Sequence, residues 1–386
     1  MRRRPIGILV NGVTGRMGYR QHLVRSLLAI RADGGVPAHD GTRIWPEPVL
    51  VGRNADKLAE IASRHGLTDW TTDLDSALDR PDVEIYFDTQ VTSRRHDAIA
   101  AALKAGKHVY TEKPLAESSA AAVALAEAAT AAGRRHGVVQ DKLFLPGIRK
   151  LARLIEGGFF GRILSVRGEF GYWVFEGDWQ AAQRPSWNYR RADGGGIVSD
   201  MFPHWNYLLE ELFGRVRTVQ CTTATHIPRR VDEAGVAYDA DADDAAYAIV
   251  EIDGRDGPVI AQLNSSWCVR VFRDELVEFQ VDGTHGSAVA GLRDCRIQHR
   301  AGTPKPVWNP DLPVTEPFRD QWQRVPDNDD FDNGFKLQWA AFLRHVVDDT
   351  PFTWDFASGV RGVRLAELAL RSAAEGRRLD VPDAAA

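Results

Sequence analysis

The chain has 386 residues, enough for two domains with separate cores, and its 44% hydrophobic and 26% charged content is that of a globular protein. A net charge of −5 leaves no basic field and excludes the electrostatic footprint of a nucleic-acid binder. The three cysteines, Cys221, Cys268 and Cys295, lack CxxC or CxxH spacing, which argues against a disulfide framework or a cysteine-built zinc site and fits a reducing compartment.

MRRRP carries the charge of a signal-peptide n-region, but the apolar run IGILV is soon interrupted by Gly12, Gly15 and Gly18. It falls short of the about 7–15 apolar residues of a secretory segment. No run approaches the ~20 needed to cross a bilayer. A cytoplasmic protein with no membrane partner is expected.

Along the first 140 residues, strand and helix signals alternate. IGILV is strand, MGYRQHLVRSLLAI helix, PVLVGR strand, ADKLAEIASRHG helix and VEIYFDT strand. HDAIAAALKAG is helix, HVYTE strand, SAAAVALAEAATAAG helix and HGVVQDK strand. Such alternation predicts a parallel sheet covered by helices on both faces. Arg31 to Pro48 is expected as a surface loop. From about Pro146, one helix precedes the strand RILSVRGEFGYWVF, an aromatic loop and a helix after Gly194. The runs VRTVQCTTATHI, AAYAIVEID, PVIAQLNSSWCVRVF, LVEFQVDG and SAVAGL then predict a second, mainly antiparallel sheet before a helix-rich tail. The expected fold is α/β, with domains at 1–141 and 142–386 and C-terminal helices able to pack back on the first.

Gly12, Gly15 and Gly18 sit between the first strand and first helix, where glycines let the backbone approach a pyrophosphate on the helix N-terminus. The expected cofactor set adds Thr14, Arg16 and Met17 of the same turn, with Thr89 and Gln90 after VEIYFD. After the second strand, Arg53 and Asn54 stand where an NAD enzyme commonly carries an acid. Arg53 could pair with a 2′-phosphate and Asn54 donate to it, which favours NADP over NAD; alternatively Arg53 stacks on adenine.

Two further clusters carry chemistry. TEKP, Thr111 to Pro114, puts the Glu112 carboxylate and Lys113 amine after a strand. After Gly194–Gly196, Asp200 and His204 are four residues apart, one turn along one helix face. An acid there can orient the imidazole and select its tautomer. The histidines His22, His39, His65 and His108 show no ligand spacing, and no metal is expected. Tyr172, Trp173, Trp179, Trp187, Tyr189, Arg190 and Arg191 precede the Asp200 helix. Aromatic faces suit the C–H faces of sugar rings, so Trp187 and Tyr189 are expected to hold a ring substrate; the alternative is that these aromatics fill an interface. The acidic run Asp232 to Asp244 lacks EF-hand order and is expected as a solvated loop.

Together, the glycine turn, His96, AGKHVYTEKPL, the GGG…Asp…His helix and the tail ALRSAAEGRRLDVP resemble the Gfo/Idh/MocA oxidoreductase family nearly end to end. The resemblance implies an N-terminal Rossmann domain and a C-terminal α/β domain with a large open antiparallel sheet that forms subunit contacts, in a homodimer or homotetramer. It further implies His96 among the cofactor contacts, Glu112 near the nicotinamide ribose, and Lys113 at both the reacting hydroxyl and the nicotinamide. Asp200 would bind substrate or orient His204, and His204 would be the general acid/base. GVTGRMG is closer to the turn of dihydrodipicolinate reductases, and Asp141 and Lys142 stand where many members have Asn and Arg, with Asp141 facing substrate. The expected activity is NAD(P)-dependent hydride transfer at a hydroxyl carbon of a sugar, glycoside or cyclitol. The alternatives are an NAD-dependent glycosidase using transient oxidation and a non-catalytic NAD(P)-binding regulator.

Overall fold

The apolar runs of the N-terminal region become buried strands, as short runs between glycine turns and amphipathic helices should. The computed structural model of the chain describes residues 2–171, 177–179, 181–182, 184–305, 309–313 and 317–382. The chain divides into two compact units, Met1–Phe144 with Asp332–Arg364 and Leu145–Phe331 with Leu365–Ala386. The first break falls just after the expected residue 141, and Asp332–Arg364 counts with the first unit, not the second.

The helices are α1 (Met17–Leu28), α2 (Ala55–His65), α3 (Leu74–Leu78), α4 (Thr92–Lys104), α5 (Ser119–Ala131), α6 (Pro146–Glu156), α7 (Ile197–Leu212), α8 (Gly334–Asp348) and α9 (Phe356–Glu375). In the first unit, β1 (Arg3–Asn11), β2 (Val36–Pro37), β3 (Arg43–Val51), β4 (Trp70–Thr71), β5 (Val83–Asp88), β6 (His108–Thr111) and β7 (His136–Val138) form one sheet. Its order is β2-β3-β1-β5-β6-β7 with β4 on β3. Every pairing is parallel except the short β2–β3 hairpin. The chain runs from β1 out to β4 and then returns to β5 on the other side of β1. The order therefore reverses between β1 and β5, and ligands of such sheets bind at the carboxyl ends of the strands flanking that point. Strand alternation feeds two cores: Ile8, Val10, Phe87, Tyr110 and Trp339 lie in one, Leu9, Tyr86, Val109, Leu125 and Phe356 in the other.

Two elements differ from expectation. The segment expected as a loop from Arg31 to Pro48 contains most of β3, despite Pro46 and Pro48. Leu50 donates its N–H to Asp69 O, on the β4 side. With a period of two, the nitrogens of Pro48 and Pro46 face that side too, in the stretch where β2 has ended and β4 has not begun. No ladder bond is lost there. The second difference is in α1, which is π-wound over its 12 residues before four α-helical ones, Ala29–Ala32. Runs of that winding are rare. It buries Gly18, His22, Leu23, Ser26 and Leu27.

In the second unit the sheet combines β8 (Ile163–Gly171), β9 (Gly214–Ala224), β12 (Ala245–Gly254), β13 (Gly257–Ser266), β14 (Val277–Gly283), β15 (Gly286–Ala290), β16 (Cys295–His299), β17 (Gln323–Arg324) and β18 (Leu379–Asp380). Their order is β17-β16-β15-β14-β8-β13-β12-β9-β18. Among the described residues, only β8–β13 is parallel of its pairings. The hairpin β10 (Arg229–Val231) and β11 (Ala237–Asp239) stands apart. Helix α7 is anchored on this sheet by Trp205, whose indole N–H donates to Ser265 Oγ at 2.9 Å and whose ring meets Phe279 edge-on. Among the described residues no helix is long and apolar enough to cross a membrane.

Candidate active site

The glycine turn lies at the β1–β5 switch point. Gly12 has φ +88°, and a Cβ there would come within 2.9 Å of the Thr89 carbonyl. A Cβ on Gly18 would press on Gly12 O and Thr89 Cγ2, each at 2.8 Å. Only glycine lets the turn and α1 close on the end of β5. Thr14, Gly15 and Arg16 are exposed at the helix start, Met17 is half-buried, and Thr89 and Gln90 are half-buried opposite. This cradle fits a dinucleotide pyrophosphate. Arg53 is exposed at the end of β3, and Asn54 Oδ1 caps α2 by accepting the Lys57 N–H at 2.9 Å.

Behind the cradle lies a buried polar network absent from the sequence expectations. Asp88 ends β5 and accepts from Tyr86 Oη at 2.6 Å, Arg95 Nε at 3.2 Å and the Gln90 N–H at 3.0 Å. Asn11 donates to Tyr86 Oη at 2.8 Å. Burial pushes the Asp88 carboxyl above its ordinary value, opposed by Arg95 and these hydrogen bonds. Arg95 also donates to Gln90 O at 2.9 Å and to the Pro114 carbonyl. It thereby ties the Thr89–Gln90 turn to TEKP. His96, the neighbour expected to touch cofactor, is half-buried and pairs with Asp97 at 3.0 Å.

Glu112 is buried, and Lys113 half-buried. Glu112 Oε1 is 2.8 Å from His22 Nε2, and its Oε2 accepts the Lys113 N–H at 3.1 Å. Burial would raise the Glu112 carboxyl, but the His22 hydrogen bond and the Lys113 and Arg95 cations hold it below its usual range. The Lys113–Pro114 peptide is cis. Asp141 is buried beside Lys142 at 3.5 Å, and the adjacent Gln140 N–H is fixed by Gln338.

The second cluster stands on α7. A Cβ on Gly195 would strike Asn188 O at 2.5 Å, and one on Gly196, at φ +125°, would strike Asp243 Oδ1 at 2.7 Å. Asp243 caps α7, its Oδ2 accepting the Val198 N–H at 2.8 Å and its carbonyl the Ile197 N–H at 2.8 Å. Asp243 and Asp244 are buried, so the end of the acidic run expected as solvated is structural. Asp244 pairs with Arg230 at 2.9 Å and accepts the N–H groups of His226 and Ile227.

Asp200 and His204 share one face of α7, and each has a partner of its own. Arg184 Nη2 lies 2.8 Å from Asp200 Oδ2, and His204 Nδ1 is 2.7 Å from Tyr207 Oη. The Arg184 guanidinium lies over the Trp267 ring, Trp267 meets Tyr189 edge-on, and Arg230 covers Tyr189 at 3.9 Å. Tyr189 is therefore 1% exposed and packed, whereas Trp187 is 45% exposed. Burial pushes the Tyr189 phenol up to about 12, against Arg230. Trp179, Arg190 and Arg191 offer surface. Tyr172 and Trp173 lie outside the described residues.

Family models match both units' sequence: an oxidoreductase-family, NAD-binding Rossmann-fold model over residues 35–140, and a Gfo/Idh/MocA C-terminal domain model over 148–289. A D-xylose dehydrogenase of Paenarthrobacter nicotinovorans is 60% identical over 98% of this chain and 98% of its own. A levoglucosan dehydrogenase of Pseudarthrobacter phenanthrenivorans is 30% identical over 64% of this chain and 66% of its own. A solved levoglucosan dehydrogenase in complex with NADH and L-sorbose has the same fold, with TM-score 0.79 at 22% identity, covering 99% of this chain and 100% of that one. The family match of the nucleotide domain and the 60%-identical dehydrogenase make the chain an NAD-binding oxidoreductase. The chain belongs to the Gfo/Idh/MocA oxidoreductase family.

Proposed function

We propose that the chain is an NAD(P)-dependent sugar dehydrogenase acting on a ring hydroxyl, with D-xylose as its leading substrate. The observation that carries this is the 60% identity, over 98% of both chains, to the D-xylose dehydrogenase. The glycine cradle, Thr89, Gln90 and Glu112 would hold the cofactor, which when bound exchanges a hydride with the carbinol carbon. Lys113 and His204 manage the hydroxyl proton. The Tyr207 hydroxyl accepts from His204 Nδ1 in the tautomer that leaves the Nε2 lone pair as the base, and still accepts once Nε2 is protonated. It can thus hold the ring while Nε2 takes up the proton and while it returns it. Asp200, held by Arg184, fixes substrate hydroxyls, and the exposed face of Trp187 packs on the ring.

The test follows reduced-nicotinamide absorbance across D-xylose, other aldoses and cyclitols, each with NAD and NADP. D-xylose should be turned over efficiently, and silence with every sugar would sink the proposal. We favour NADP because Arg53 stands exposed after β3 with no acid beside it. Arg53→Ala should weaken NADP more than NAD, by about 1.5–3 kcal/mol, in binding titrations; equal weakening would mean that it only stacks on adenine. We also propose a homodimer or homotetramer, supported by exposed Tyr247, Ile249 and Ile260 on one face of β12 and β13. Light scattering of a monomer at micromolar concentration would refute it.

A further inference from the structure

We infer that His22, with its tautomer set by Trp339, is a positioning residue that fixes the Lys113 turn through Glu112. The inference rests on the proposed role of Lys113 in proton transfer.

His22 is 0% exposed, in the core of the first unit, tilted against Phe87 at 4.3 Å and edge-on to Phe335 at 5.1 Å. Burying an imidazole is costly unless both nitrogens are satisfied. Here both are. Trp339 Nε1 lies 3.0 Å from His22 Nδ1. An indole N–H can only donate, so Nδ1 accepts. The ring proton is then on Nε2, which must donate to Glu112 Oε1 at 2.8 Å. The other Glu112 oxygen accepts the Lys113 N–H. Indole, imidazole, carboxylate and backbone amide form one chain, in which each bond polarises the next. Arg95 grips the Pro114 carbonyl from α4, so the turn is held at both ends of the Lys113–Pro114 unit. Because Gly18 of α1 abuts Gly12, the same helix sets both the glycine turn and the TEKP turn.

The charged and titratable groups acting on Glu112 are His22 from α1, Lys113 beside it and Arg95 from α4. Tyr110 on β6 feels both Glu112 and Asp141. Without the His22 donor, burial of the Glu112 carboxylate is less well offset, and the carboxyl takes up its proton at a higher pH. Without the Trp339 donor the ring proton is no longer confined to Nε2, and the tautomer that carries it on Nδ1 leaves Glu112 without its donor, a change of the same sign.

Four variants test this: His22→Leu, His22→Gln, Trp339→Phe and Lys113→Met. We expect His22→Leu to lower kcat by about 10²-fold, the cost of a small displacement at a reacting group. The acid limb of its pH–rate profile should move up, and the infrared band of a protonated buried carboxyl should appear at higher pH. His22→Gln should recover most activity, since its amide can donate to Glu112 and accept from Trp339. Trp339→Phe should move the acid limb up, by less than His22→Leu does. A folded His22→Leu with native kcat and pH profile would overturn the inference. If that variant does not fold, a Trp339→Phe limb that stays put or moves down overturns it. Near-native kcat in Lys113→Met would instead overturn the role of Lys113, an outcome distinguishable because it does not depend on the His22 variants.

Discussion

The two clusters of candidate site residues are held in different ways. In the first unit the polar network ends on main-chain atoms: the Lys113 N–H, the Pro114 and Gln90 carbonyls and the Gln90 N–H. In the second, it ends on side chains, with Arg184 on Asp200 and Tyr207 on His204. The difference follows from the backbone. A strand-to-helix turn has no ladder of its own, so buried side chains must supply its hydrogen bonds. A 16-residue helix such as α7 fixes its own backbone and needs only a cap, which Asp243 provides. Damage to the first network should therefore move backbone and cost stability, while damage to the second should free rotamers and cost activity.

The largest effect tests whether both clusters serve one reaction. Lys113→Met and His204→Ala should each lower kcat by about 10²–10⁴-fold while cofactor binding stays largely intact. Near-native kcat in either variant, or loss of cofactor binding in His204→Ala, would break the assignment. Next comes Arg95→Met, which strands the buried Asp88 carboxylate and should cost about 3–5 kcal/mol in chemical denaturation. A loss below about 1 kcal/mol would place Arg95 with surface pairs. Asp243→Ala removes the α7 cap and should cost about 0.5–2 kcal/mol. The smallest stability change should come from Arg184→Met, within about 1 kcal/mol for a partly exposed pair, while its KM for sugar rises clearly. A large stability loss with unchanged KM would erase the contrast between the two units.

Much of this was legible in the sequence because it is local. The strand–helix alternation of the first unit, the glycine turn before α1 and the four-residue spacing of Asp200 and His204 need no partner from afar. What escaped depends on distant residues. Arg95 and His96 are adjacent, and only their facing on α4 decides that Arg95 is buried against Asp88. Asp243 and Asp244 look like the end of a solvated acidic run until α7 and Arg230 come to meet them. His22 showed nothing in sequence, since its partners Glu112 and Trp339 are 90 and 317 residues away. Tyr189 was expected to face a substrate ring, but its own ring is occupied by Arg230 and Trp267, which left Trp187 as the exposed neighbour.

Pro46 and Pro48 have a consequence for how the protein behaves in a crowded solution. Between β2 and β4 the outer margin of β3 is a length of strand whose partners have run out. Such a margin ordinarily invites a foreign strand to zip on, the first step towards aggregation. Here two consecutive outward nitrogens carry no hydrogen, so an incoming chain would find acceptors without donors and could not keep a register. The same prolines that disguise this strand in the sequence guard its border against misassembly.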